Sequence, residues 1–365
     1  MDIESMHERP SADQVPLGAA SGHVMTVLGS IPVDKLGITL MHEHILGDSS
    51  NVWVPPDDPK LWQLAFRPVS ASIRADLQLD PHTNRDNHVI NDVEIAIDEV
   101  SRFSELGGNT IVEMTNAGIG RDPRGLKYIA GRTGLNIIMG SGFYTQETHP
   151  PRVRKMGAED IAEEITRDIR EGVPETGVRA GVIGEIGMDW NFTEEEQKVL
   201  RGAARAAKRT GVPLIIHLEG WHRWGLKSLD IAEEEGASPA QIVLSHMSPS
   251  MDDREYQEGI ANRGAYLGYD MIGQDVDWGG DIHHGECPSD RDVAAGLKRL
   301  IDAGYLERIM ISQDTCCKYM LTRYGGRGYG YILRHFVGRL KKIGVTEEQI
   351  HTLMVTNPRT IFSAQ

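Results

Sequence analysis

Residues 37–46, GITLMHEHIL, carry an apolar run straight into two histidines separated by one acid. Side chains two apart on a strand share a face. A strand over 37–41 therefore sends His42 and His44 to one side together and Glu43 the other way, toward a helix layer. Seven more short apolar runs follow, at 109–114, 135–140, 180–187, 213–218, 241–246, 264–269 and 308–312. Most are near-continuous rather than alternating, the pattern of strands covered on both faces of a parallel sheet.

Helical periodicity separates most of these runs. Val93, Ala96, Ile97, Val100 and Phe103 recur at spacings of three and four, which predicts a helix over 92–106. Ile161, Ile165 and Ile169 stripe a second. Thr193 as N-cap, acids in the next turn and Gly211 beyond the end bracket a third. The segments 225–236, 292–304 and 330–342 supply others, and a last helix lies near 346–356. Eight strands alternating with helices predict one α/β domain, a (β/α)8 TIM barrel, which typically needs ~250 residues. The surplus falls in an N-terminal extension, 1–22, ahead of a barrel domain at 23–365, and in two long loops, 47–90 and 270–292, after the first and seventh strands. A doubly wound open sheet is the rival architecture. It is weakened because no glycine-rich dinucleotide or phosphate loop follows an early strand.

Composition narrows the partners. The 365 residues include 38 basic and 53 acidic ones, a net charge of −15 that disfavours nucleic acid and anionic membrane surfaces. No apolar run approaches the ~20 residues of a membrane span, and 1–22 has no signal-peptide pattern. Three cysteines, with Cys316 and Cys317 adjacent, make no disulfide framework and fit a reducing cytoplasm.

In a barrel of this kind the active site lies where the strands end. His42 and His44 end the first strand, Glu185 interrupts the fourth, His217 ends the fifth, His246 the sixth, and the eighth runs into Asp314. One such residue alone is more often a structural hydrogen-bonding group than a ligand. Six at one end of one barrel, two of them carboxylates that are costly to bury unpaired, have a common explanation in metal binding. The inventory suits two divalent ions, zinc, manganese or cobalt, with the carboxylate between them and ~3.5–4 Å separating the ions.

The motifs LMHEHI, NTIVEMTNAGIGRDP, GSGFY, GEIG, IIHLEG, LSHMSPS, ISQDT and TRYGGRGYGYIL together resemble the phosphotriesterase-like branch of the amidohydrolase superfamily, from about Val24 to the C-terminus. The resemblance implies a binuclear barrel hydrolase. His42, His44 and Asp314 would hold the buried ion and His217 and His246 the exposed one. Glu185 stands at the bridging position, where many members carry a carboxylated lysine and the phosphotriesterase homology proteins a glutamate; that departure argues against efficient triester hydrolysis. Tyr144 matches a tyrosine that lactonase members set over the substrate, and Arg323 and Tyr324 fall in a substrate-contacting loop. Barrels of the family often pair, so a homodimer is the assembly implied.

The expectation is hydrolysis of a carboxyl ester or lactone by metal-activated hydroxide, with Asp314 moving the proton to the leaving group. An amidase on an N-acyl small molecule, with weak phosphotriesterase side activity, and a non-catalytic ligand-binding barrel are the alternatives. All six tryptophans fall in predicted βα loops, so Trp190 and Trp221 are candidate walls of an aromatic site for a small organic molecule. Cys316 and Cys317 read as packing or pocket lining, and the loop holding His283, His284, Glu286 and Cys287 as a solvated lid rather than a zinc site.

Overall fold

The computed structural model describes residues 22–274, 276–278 and 285–363. Eight parallel strands form one sheet in chain order: β1 (Ile38–Glu43), β2 (Gly108–Glu113), β3 (Asn136–Ser141), β4 (Val182–Met188), β5 (Leu214–Leu218), β6 (Ile242–Leu244), β7 (Tyr266–Tyr269) and β8 (Ile309–Ile311). Each matches an apolar run of the sequence. Helices α1 (Val93–Glu105), α2 (Pro123–Thr133), α3 (Ala158–Arg170), α4 (Glu194–Thr210), α5 (Gly225–Glu234), α6 (Arg254–Asn262), α7 (Asp290–Asp302) and α8 (Val337–Lys342) surround it. This is the (β/α)8 barrel, with α2 and α6 added to the helices legible in the sequence. Thr193 and Glu196 cap α4 reciprocally, and Gly211 ends it at φ 71°, as the sequence pattern predicts.

Strand alternation sorts the core into two layers. Leu40, Ile111, Ile137, Ile216, Leu244 and Ile311 pack outward against the helices. Met41, Val112, Ile138, Ile215, Val243 and Met310 fill the barrel interior. The interior is stoppered at its N-terminal end by Val24 and Leu36, from an antiparallel hairpin (His23–Thr26 with Gly29–Pro32) and the turn after it, and by Ile361 and Phe362 of a C-terminal helix, Asn357–Ser363. The N-terminal extension lies outside the described residues except for Gly22, as do His283 and His284. Cys287 packs with Cys317, Met271 and Val276 under the long loops.

The barrel closes where β1 meets β8. Asp314 N–H donates to the His42 carbonyl (3.1 Å), and His42 N–H donates to Ser312 Oγ (3.0 Å). Glu43 is fully buried in this seam. Its carboxylate accepts from Ser312 Oγ and Gln313 N–H (2.8 Å each) and from Thr315 N–H (2.9 Å). Among the described residues no helix is long and apolar enough to cross a membrane.

Candidate metal centre

Plain strand alternation would not bring the six polar residues together. Leu40 faces the helices and Met41 the interior, so His42 would turn outward again. The pairing of β1 with β2 shifts register between Leu40 and Glu43, and that of β4 with β5 between Ile183 and Ile186. Irregularities of this kind re-aim side chains beside active sites, and here they deliver His42 and Glu185 to the mouth. His246 and Asp314 arrive by another route: both sit at positive φ, 59° and 50°, a backbone state that non-glycine residues rarely adopt and that the surrounding packing must hold.

The result is two triads sharing one carboxylate. Donor atoms of His42, His44 and Glu185 lie within 4.8 Å of one another, as do those of Glu185, His217 and His246. Glu185 Oε1 is 3.2 Å from His44 Nε2, and Oε2 is 3.3 Å from His42 Nε2 and 3.1 Å from His217 Nδ1. Asp314 Oδ1 joins at 3.2 Å from His44 Nε2 and 3.7 Å from His42 Nε2. Glu185 is 2% exposed.

Electrostatics and orphaned atoms indicate what this set surrounds. Burial lowers the His42 and His44 imidazoles, but Glu185, with Asp270 at His42 and Asp314 at His44, outweighs it; His42 is raised well above its ordinary value and His44 to about 10. Burial likewise opposes charge on Glu185, yet His42, His217 and His44 hold its carboxyl well below the usual range. His217 is lowered by burial and by His246. Imidazoles and carboxylates in this cluster thus shift one another's protonation. His42 Nε2 is buried with no hydrogen-bond partner, and His217 Nδ1 faces His246 Nε2 at 2.8 Å. Nitrogens aimed at one another and at shared oxygens fit divalent cations, so the donor set passes that test.

The far sides of the rings are held in place. His44 Nδ1 meets Thr115 Oγ1 at 3.0 Å, and His42 Nδ1 meets Ser245 Oγ at 3.1 Å. Asp270, missing from the candidates read in the sequence, accepts from His246 N–H (2.8 Å), pairs with His246 Nδ1 (2.9 Å) and stands 3.4 Å from His42 Nδ1. Its carboxyl is pulled far below the usual range by His246 and His42 against the opposing effect of burial. Asp270 directly follows the apolar run of β7, the same signal that singled out His217 and His246.

Above the cluster opens a cavity of about 630 Å³. Tyr144 lines it, with Oη 3.2 Å from His217 Nε2. Trp221, Trp53, Trp278, Cys316 and Cys317 form further wall. Two of the residues singled out in the sequence lie apart from this wall. Trp190 stands outside the lining, its carbonyl accepting the Trp224 indole N–H (3.2 Å). Arg323 is also outside: its backbone N–H is tied to Glu99 (2.8 Å) on α1 and its side chain is exposed. Tyr324 packs into the core instead.

The model of the phosphotriesterase family matches residues 22–362. A protein of Danio rerio named N-acetyltaurine hydrolase is 36% identical, over 93% of this chain and 97% of its own. A solved structure described as a resiniferatoxin-binding protein from Rhodobacter sphaeroides superposes with a TM-score of 0.92 at 46% identity, covering 95% of this chain and 96% of that one. The phosphotriesterase homology protein of Escherichia coli, solved with phosphate in its active site, shares the fold (TM-score 0.73, 24% identity, 90% and 99% covered).

Proposed function

This chain belongs to the phosphotriesterase family of hydrolases, and from that premise we propose that it cleaves an N-acyl amide of a small organic molecule at a two-metal centre. The observation carrying the proposal is the position of Glu185, common to two histidine pairs. His42, His44 and Asp314 would hold one ion, and His217 and His246 the other. Two divalent ions bound there, zinc with manganese or cobalt as substitutes, would polarise the scissile carbonyl and acidify a water.

The chain's own groups account for the remaining requirements. An amine leaves an amide only once its nitrogen is protonated. Asp314 lines the cavity with Oδ1 beside His44, while Gln274 Nε2 donates to Oδ2 at 3.2 Å. That carboxylate is placed to take the proton of the attacking water and pass it to the departing nitrogen. Tyr144 Oη overhangs the His217 side, where it can donate to the carbonyl oxygen. Asp270, Thr115 and Ser245 orient the imidazoles. The relatives named N-acetyltaurine hydrolase favour the amide over the ester or lactone; the aromatic wall of Trp53, Trp221 and Trp278 keeps an aryl ester as the second reading.

The test is elemental analysis followed by a panel of N-acyl amines, aryl esters and lactones, each with and without a chelator. Chelator-sensitive release of amine is the expected result. Cleavage confined to esters and lactones moves the assignment to the second reading. Silence across the panel with two ions bound would leave a ligand-binding barrel.

A further inference from the structure

We propose that the substrate presents a protonated amine, not an anionic group, to the outer part of this cavity, so that it differs in charge from the taurine amide for which the curated relatives are named. The inference rests on the hydrolase reading above and concerns the part of the substrate remote from the scissile bond. Besides Glu185 and Asp314, five carboxylates line the cavity: Asp48, Asp80, Glu147, Asp189 and Glu219. They come from the loops after β1, β3, β4 and β5. Among the described residues, no lysine or arginine lines it. The stretch 270–289, which includes the residues outside the description, contains neither residue type.

Three basic side chains that follow β5 and β8 are engaged elsewhere. Arg223 pairs with Asp253 (3.1 Å), and Lys318 with Asp86 (2.6 Å). Lys227 lies over the rings of Phe192 and Trp224. The groups nearest Asp48, Asp80 and Asp189 are backbone N–H and hydroxyl donors: Ser50 N–H, His82 N–H with Thr83 Oγ1, and Trp190 N–H. None of these donors carries a charge.

The charge of metal ions held at this centre would be offset in part by Glu185 and Asp314. A sulfonate or carboxylate held farther out would meet like charge, with no lysine or arginine among the described lining residues to pair with it. Recognition of such a group is normally built from arginine or lysine. An ammonium there meets carboxylates and the faces of Trp53, Trp221 and Trp278, the two environments that stabilise an organic cation. The net charge of −15 acts in the same direction at longer range.

N-acetyltaurine, N-acetylethanolamine and N-acetylethylenediamine share an acyl group and a two-carbon spacer and differ in end charge, so they form the test series for the zinc-loaded enzyme. The expected kcat/KM order is ammonium, then hydroxyl, then sulfonate, with roughly tenfold or more between the extremes at low salt. The spread should shrink as ionic strength rises. The double variant Glu147→Gln/Asp189→Asn, checked for folding by thermal unfolding, should lower the ammonium-to-hydroxyl ratio. A sulfonate cleaved as fast as the ammonium compound, or a ratio unmoved by the double variant, overturns the inference. Calorimetric binding separates the two claims. Affinities in the expected order without turnover leave the charge preference standing and remove the hydrolase reading. Turnover of a neutral aryl ester with no such order does the reverse.

Discussion

At the N-terminal end of the barrel, Val24, Leu36, Ile361 and Phe362 seal against Met41, Val112, Ile138 and Met310. At the other end, a residue or a few farther along the same strands, the interior belongs to His42, Glu185, His217, His246 and Asp314. The base buries carbon on carbon, with one register shift between Ile38 and Thr39. The mouth departs from plain strand alternation at two register shifts and two left-handed residues. The contrast teaches a division of labour: apolar packing at the base stabilises a mouth whose buried charges and strained backbone gain nothing by themselves.

That division can be broken or sharpened by experiment. The largest effect is expected from Asp314→Asn, which removes the proton carrier but keeps the side-chain shape. Turnover should fall about 10²–10⁴-fold while metal content, read by elemental analysis, largely survives; retained turnover would strip Asp314 of its role. Phe362→Ala at the base should show the converse. Phe362 is fully buried, so unfolding in denaturant should report a loss of about 3–5 kcal/mol, with kcat of the folded fraction unchanged. A fall in kcat would show that the two ends are coupled. Asp270→Asn tests the layer between them. Metal affinity, measured by competition with a chelator, should weaken about 10–100-fold, with little change in kcat at saturating metal. The smallest effect is expected from Thr193→Ala, which removes the cap of an outer helix. It should cost about 1 kcal/mol in thermal unfolding and leave metal binding unaltered.

Much of the mouth is legible in the sequence because burial forces polar residues to the ends of apolar runs, where they stand out. His217 and His246 need nothing more to be found. Asp270 obeys the same rule, but it opens a long loop and reads as the start of that loop. Trp190 and Arg323 are less legible, for a different reason. They are loop residues whose direction depends on contacts with other elements, Trp224 in one case and Glu99 in the other, and local spacing carries no record of such contacts. The hairpin at the base is short and, in GSIP, weakly apolar. Its role depends on what lies above it. Glu43 was legible as facing away from the histidines, but not as the residue that joins the first strand to the last.

That seam orders events in time. The bonds from Gln313 and Thr315 to Glu43 span 270 and 272 residues, and the Asp314 amide reaches back to His42. A ribosome translating this message therefore exposes two imidazoles early and supplies the strand that positions them only near the end. Until β8 emerges, the nascent polypeptide holds His42 and His44 without the seam or Asp314, and a transcript truncated before codon 309 would encode neither a shut cylinder nor a finished catalyst.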